Sequence, residues 1–258
     1  MQARKGRSQA GEEVMEKIFS YCERGFNPAF WAEPLNALTN LGFILAFAVA
    51  LYAVLHRPKG EHGTWMYFLI FTVFAIGVGS FLFHTLATPQ AALADVIPIS
   101  IFMLTYFAYA MQRFLNLHWV LTILATAGFF AILQAAGDLR CSGGEIDFLR
   151  QVPAFKGTRC LNGSLGYVPA FGAMGLIGGL LALKGHPAAR WVLAAALAFA
   201  ISLTFRTFDR EWCWIFSIEG RAIGTHFIWH LLNSLTLFLL LMGAIRHGAY
   251  NRNRIESA

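Results

Sequence analysis

Charge is what this sequence has least of. Asp, Glu, Lys and Arg make 13% of the 258 residues and hydrophobic residues 57%, which is about half the charged share of a soluble protein. A water-soluble globule of this size would lack the polar surface to cover itself, and the apolar content excludes a disordered chain. The net charge of +6 is too thinly spread for a nucleic-acid footprint, so no nucleic-acid partner is expected and the charge reads as membrane orientation. Met1 to Ser20 has no apolar stretch of signal-peptide length, being broken by Arg4, Lys5, Arg7, Glu12, Glu13, Glu16 and Lys17. The first apolar segment is therefore expected to stay in the chain. The four cysteines, Cys22, Cys141, Cys160 and Cys213, lack CxxC spacing, which argues against a zinc ribbon. No repeat and no low-complexity linker divides the chain.

Long apolar runs are present instead. Crossing a bilayer takes roughly 20 residues, and seven stretches qualify: 34–55, 64–86, 92–112, 115–136, 165–183, 189–206 and 222–245. The expected fold is all-α, a polytopic membrane protein built as a seven-transmembrane-helix bundle. Residues 1–33 would be an extramembrane segment, 34–245 the bundle, and 246–258 a basic tail. One side carries Arg57, Lys59, Arg113, Lys184, Arg190, Arg246, Arg252 and Arg254 against Glu61 and Glu256. The positive-inside rule makes that side cytoplasmic and puts the N-terminus outside, in a bacterial inner membrane given such compact loops. All four cysteines then share the outer side, where disulfides persist. Cys22 with Cys213 would tie the entrances of the first and last spans, and Cys141 with Cys160 would close the long loop. Unpaired buried thiols are the other reading.

Polar residues inside apolar spans are costly, which makes each a functional candidate. Ser80 and His84 lie in "GVGSFLFHTLATP", Asp95 in "LADVIP", and His226 and His230 in "GTHFIWHLLNS". Span direction sets all five near the outer end. Ser80/His84 and His226/His230 are i, i+4 pairs, each on one helical face. Three imidazoles from two helices suit Zn²⁺, with a fourth position left for water in a catalytic site. Taken singly, each has a plainer account: His84 as a core histidine, Ser80 as a helix-packing residue, Asp95 as an N-cap, and the His226/His230 pair as a haem ligand set. A second constellation, Glu23, Glu33, Asn36 and Asn40, flanks and enters the first span. It reads either as a helix start with Pro34 in the first turn or as an oxygen cluster for Ca²⁺, which needs six to eight oxygens. Arg206, Asp209 and Arg210, at a span end, are expected to pair or to snorkel.

Taken together, "CER…FWAEPLNALTN", "SFLFH" with an Asp eleven residues after its His, "FRTFD…C" and "HFIWHLLN" resemble the alkaline ceramidase family, within a superfamily of seven-span membrane metal hydrolases. The resemblance runs from Tyr21 to Asn233. It implies zinc-dependent hydrolysis of the linear amide bond of ceramide, giving sphingosine and a fatty acid. It further implies zinc ligation by His84, His226 and His230, with Ser80 and Asp95 beside the metal, and a helix-tying disulfide at Cys22 and Cys213. The family's calcium segment maps onto Glu23 and Glu33. Phe19, Ser20 and Tyr21 before Cys22, and Arg24 and Gly25 after Glu23, depart from that pattern and leave calcium open.

On this reading Asp95 is the general base and later the proton donor to the leaving amine, and Ser80 is an oxyanion donor. Phe81, Phe83, Phe227 and Trp229 are candidates to line a lipid pocket. The rival readings are an ester hydrolase acting on phospholipids or lipid anchors, and a receptor or transporter that uses the His/Asp cluster without chemistry. The sequence does not fix an oligomeric state.

Overall fold

Lipid offers the backbone no hydrogen-bond partners, so each long apolar run must satisfy its own N–H and C=O groups by coiling. The computed structural model describes residues 17–58, 63–141, 151–152 and 158–248. Among these, seven helices are long and apolar enough to cross a membrane: span 1 at Pro34–Leu55, span 2 at Thr64–Leu86, span 3 at Pro89–Phe114, span 4 at Trp119–Asp138, span 5 at Cys160–Leu183, span 6 at Ala189–Thr207 and span 7 at His226–His247. The chain is a multi-pass, all-α membrane protein. Lys59, Glu61, Arg252, Arg254, Glu256, residues 1–16 of the expected N-terminal segment and residues 249–258 of the expected tail lie outside the described residues.

Among the boundaries that differ from the hydrophobic reading, three helix starts have a local reason. Span 3 starts at Pro89 because Thr88 accepts a hydrogen bond from the Ala91 N–H and Pro89 takes the first helical position. Span 5 begins with a tight turn at Cys160–Tyr167 before its regular helix. Span 7 begins at His226, four residues later than expected, because Arg221–Ala222 pairs with Ser217–Ile218 in a small antiparallel hairpin. That delay makes His226 the first residue of its helix.

Spans 2 and 7 are the most enclosed of the seven, and spans 3, 4 and 5 the least. The outer spans turn large apolar side chains outward, such as Leu41, Leu45, Ile123, Leu124 and Leu176, as expected where the surrounding solvent is hydrocarbon. Span 2 packs on spans 1 and 3, and span 7 on spans 1 and 6. At the closest approach of spans 2 and 3, a Cβ at Gly79 would collide with the carbonyl of Ala94. Pro98, four residues on in span 3, has no N–H to give that carbonyl. A missing side chain on one helix and a missing donor on the other thus bring Ser80 up against the start of span 3.

Both expected disulfides are present, Cys22–Cys213 and Cys141–Cys160. The first joins residues 191 apart in sequence and fastens the N-terminal loop to the segment that leads into span 7. Reduction, or Cys213→Ser, is expected to lower the melting temperature of the detergent-solubilised protein, since closing so long a loop removes much unfolded-state freedom. An unchanged melting temperature would show that the loop is held by its hydrogen bonds alone.

Candidate active site

Antiparallel neighbours put the end of span 2 beside the beginnings of spans 3 and 7, and the i, i+4 spacing turns both members of each pair toward the shared interior. His84, His226 and His230 meet there. One ring nitrogen from each lies within 4.8 Å of the other two, and the ring centroids are 5.2 Å (His84–His226), 4.6 Å (His84–His230) and 4.6 Å (His226–His230) apart. All three side chains are buried.

Hydrogen bonds around the rings decide which nitrogens remain available. The Nδ1 of His84 lies 2.6 Å from Glu33 Oε2, and the Nδ1 of His230 lies 3.1 Å from Thr39 Oγ1. Nε2 of His84 and Nδ1 of His226 are buried with no protein partner. A buried polar atom without a partner costs roughly 1–3 kcal/mol, yet these sit in one three-nitrogen cluster. The donors fit a metal ion, and nitrogen ligands with carboxylate or hydroxyl support behind them are the usual arrangement for one. Burial by itself would raise the Glu33 carboxyl, but His84, Asn36 and Arg24 outweigh it and hold the group below its ordinary range, which keeps it an anion.

Asp95 and Ser80 complete the cluster. The Asp95 carboxylate lies beside Ser80, within electrostatic reach of His84 and Arg206, and its Oδ1 is buried without a partner. The expected five residues therefore come together.

The N-terminal loop closes over them. Tyr21 stacks on the His226 ring at 3.7 Å between centroids. Asp209 fastens the loop to span 7: its Oδ2 accepts from the Cys22 N–H at 3.0 Å, and its Oδ1 from the Thr225 and His226 N–H groups at 2.8 and 2.9 Å. A carboxylate at a helix N-terminus is favoured by the helix dipole and the free N–H groups there. Gly224, at φ +62°, leaves the room this needs, since a Cβ would collide with Asp209 and Cys22.

Glu23, Glu33 and Asn36, the residues of the possible calcium cluster, have partners within the protein, while Oδ1 of Asn36 and of Asn40 is buried without one. Glu23 accepts from the Leu35 and Asn36 N–H groups, both at 2.8 Å, and so caps span 1. Glu33 binds Arg24, Asn36 and His84. The Arg24 guanidinium also donates to the carbonyls of Asn27, Ala29 and His84. A permanent cation of the protein therefore sits among the carboxylate and carbonyl oxygens that a calcium ion would require.

Beneath the cluster lies a partly open cavity walled chiefly by apolar side chains of spans 3 to 7, including Phe102, Phe129, Phe199 and Trp229. Of the four aromatics expected to line a pocket, only Trp229 does. Tyr21, Arg24 and Thr39 were not foreseen. Tyr21 and Arg24 adjoin Cys22 and Glu23 in the sequence, and Thr39 lies between Asn36 and Asn40, so proximity was their one signal.

Glu33→Gln keeps an acceptor for His84 but loses the charge. It is expected to weaken metal binding about 10–100-fold with the fold retained, as read by chelator competition. Unchanged affinity would remove Glu33 from the support of the site.

The Ceramidase family model matches residues 18–138, just under half of the chain. No curated protein matches it. The matched segment carries Glu23, Glu33, Ser80, His84 and Asp95, whereas His226 and His230 lie beyond it. The match supports a lipid substrate, an amide-cleaving hydrolase and ceramide hydrolysis in general. The motifs first read from the sequence and this match over residues 18–138 both support the alkaline ceramidase family, to which the chain is similar over that segment.

Proposed function

We propose that this protein is a zinc-dependent ceramidase that cleaves the amide of N-acylsphingosine to sphingosine and a free fatty acid. The reading is carried by one observation: three buried imidazoles, two with unpartnered ring nitrogens, and a carboxylate with an unpartnered oxygen converge above an apolar cavity inside a membrane bundle. His84, His226 and His230 would hold the ion, and a set of three neutral imidazole nitrogens is the chemistry zinc accepts in catalytic sites. When bound, zinc supplies Lewis-acid character that polarises a carbonyl and acidifies water.

The remaining work falls to the chain. Asp95, its Oδ1 free and Ser80 beside it, takes the proton of the attacking water and passes it to the amine as the C–N bond breaks. The Ser80 hydroxyl donates to the oxygen on which negative charge develops, a contribution of about 3 kcal/mol in comparable sites. The cavity receives hydrocarbon, so the amide is drawn to the polar end by the burial of its chains. Tyr21, stacked on His226, and the disulfide-fastened loop shield the cluster from bulk water.

The basic residues Arg57, Arg113, Lys184, Arg190 and Arg246 all belong to the end of the bundle away from the histidines. They support an orientation with the C-terminus cytoplasmic, and with the N-terminal segment 1–33 and the active site outside, in a bacterial inner membrane. A bundle over 34–245 with a short basic tail at 246–258 is the matching domain layout.

Asp95→Asn is expected to retain metal and fold and to lose at least about 100-fold in fatty-acid release from N-acylsphingosine. A variant that turns over at the wild-type rate would remove Asp95 as the base. Faster release from a phospholipid ester than from the amide, in the wild-type protein, would favour the ester hydrolases of the superfamily.

A further inference from the structure

Arg206 lies in the last turn of span 6, where an arginine ordinarily extends outward to the membrane interface. Here it turns inward. Its Nη1 donates to the Asn162 carbonyl at 2.9 Å and to Ser164 Oγ at 3.0 Å. Its Cζ lies 5.1 Å from the centre of the Tyr167 ring and 5.5 Å from that of Trp229. Both rings belong to the cavity wall. The two hydrogen bonds fix the guanidinium, and the two aromatic rings place the cation one side chain away from the cavity they line.

Two edges of that guanidinium remain unused. Among the described residues no carboxylate lies within ion-pair distance of Arg206, and its Nε and Nη2 have no protein acceptor. The group lies within electrostatic reach of Asp95 and both histidines of span 7, on the side of the bundle that carries the histidine cluster. An arginine with a free fork of two N–H donors is built for a planar, two-oxygen anion.

We propose that Arg206 is a carboxylate subsite that holds a long-chain fatty acid by its head while the chain occupies the apolar cavity. The inference rests on the proposed amide hydrolysis for its physiological ligand. In that reaction R–CO–NH–R′ and H₂O give R–COO⁻ and R′–NH₃⁺, so an uncharged acyl group becomes an anion as the C–N bond breaks. Arg206 consequently discriminates between product and substrate. It retains the fatty acid after cleavage and makes the enzyme sensitive to inhibition by that product.

The test is equilibrium binding of palmitate, and of hexadecanol as the uncharged analogue, to the full-length protein in detergent, with and without EDTA. The wild type is expected to bind palmitate at least about tenfold more tightly than hexadecanol, as a charge-assisted hydrogen bond should give. In Arg206→Gln the two ligands should bind alike, with hexadecanol binding unchanged and thereby reporting an intact cavity. Arg206→Lys should restore part of the preference, since it returns the charge without the fork. Equal loss of both ligands in both variants would show that Arg206 only supports the cavity wall and overturn the proposal. So would undiminished palmitate binding in Arg206→Gln, or a preference that disappears with EDTA, which would place the carboxylate at the histidines. Arg206-dependent palmitate binding in a wild-type protein that does not cleave ceramide would refute the catalytic reading while leaving the subsite standing.

Discussion

The contact between Glu33 and the Nδ1 of His84 is the interaction on which the rest of the site depends. It joins the N-terminal loop to the end of span 2, sets which nitrogen of His84 faces inward, and leaves a carboxylate behind that ring. Arg24 makes the arrangement possible by supplying the positive charge that a buried glutamate requires, and it ties the same loop to the His84 carbonyl. A buried carboxylate and a buried guanidinium are each expensive in lipid, but paired and saturated with hydrogen bonds they form a rigid joint. Removing either partner would leave the other charge uncompensated.

The loop and span 7 are joined by the same logic at a second point. Asp209 gathers three backbone N–H groups, one from the loop and two from the first turn of span 7, and the Cys22–Cys213 bond lies alongside. One joint meets the cluster at His84 and the other at His226, so the histidine-bearing helices are held by the N-terminal loop as well as by their own packing. Spans 2 and 7, which carry the three histidines, are also the two most enclosed. The cluster therefore sits on the most enclosed part of the bundle, the kind of support a preorganised site needs.

Much of this was legible in the sequence. Seven apolar runs separated by charged breaks point to the fold class, and helical spacing together with span direction places Ser80, His84, Asp95, His226 and His230 at one end. With all four cysteines on one side, the pairs Cys22–Cys213 and Cys141–Cys160 stood beside unpaired thiols as alternatives, and the folded chain forms the two pairs. Other features were hidden because they depend on tertiary contacts between positions without periodicity. Nothing in "YCERGF" signals that Arg24 reaches His84, or that Tyr21 lies flat against His226. The calcium reading stayed open for the same reason: carboxylates and amides of the right types were visible in Glu23, Glu33 and Asn36, but the arginine among their oxygens could be seen only once the loop was folded. Arg206 had the sequence position of a snorkelling residue and turned inward because Asn162 and Ser164, from the turn that opens span 5, offered it acceptors there.

The central claim is that His84, His226 and His230 share one metal ion, and elemental analysis of the purified protein tests it most directly. The account predicts about one zinc per chain in the wild type and little or none in His226→Ala, with the variant still folded as judged by its helical circular dichroism. A wild-type protein that takes up no metal, or a His226→Ala variant with its zinc content unchanged, would contradict it.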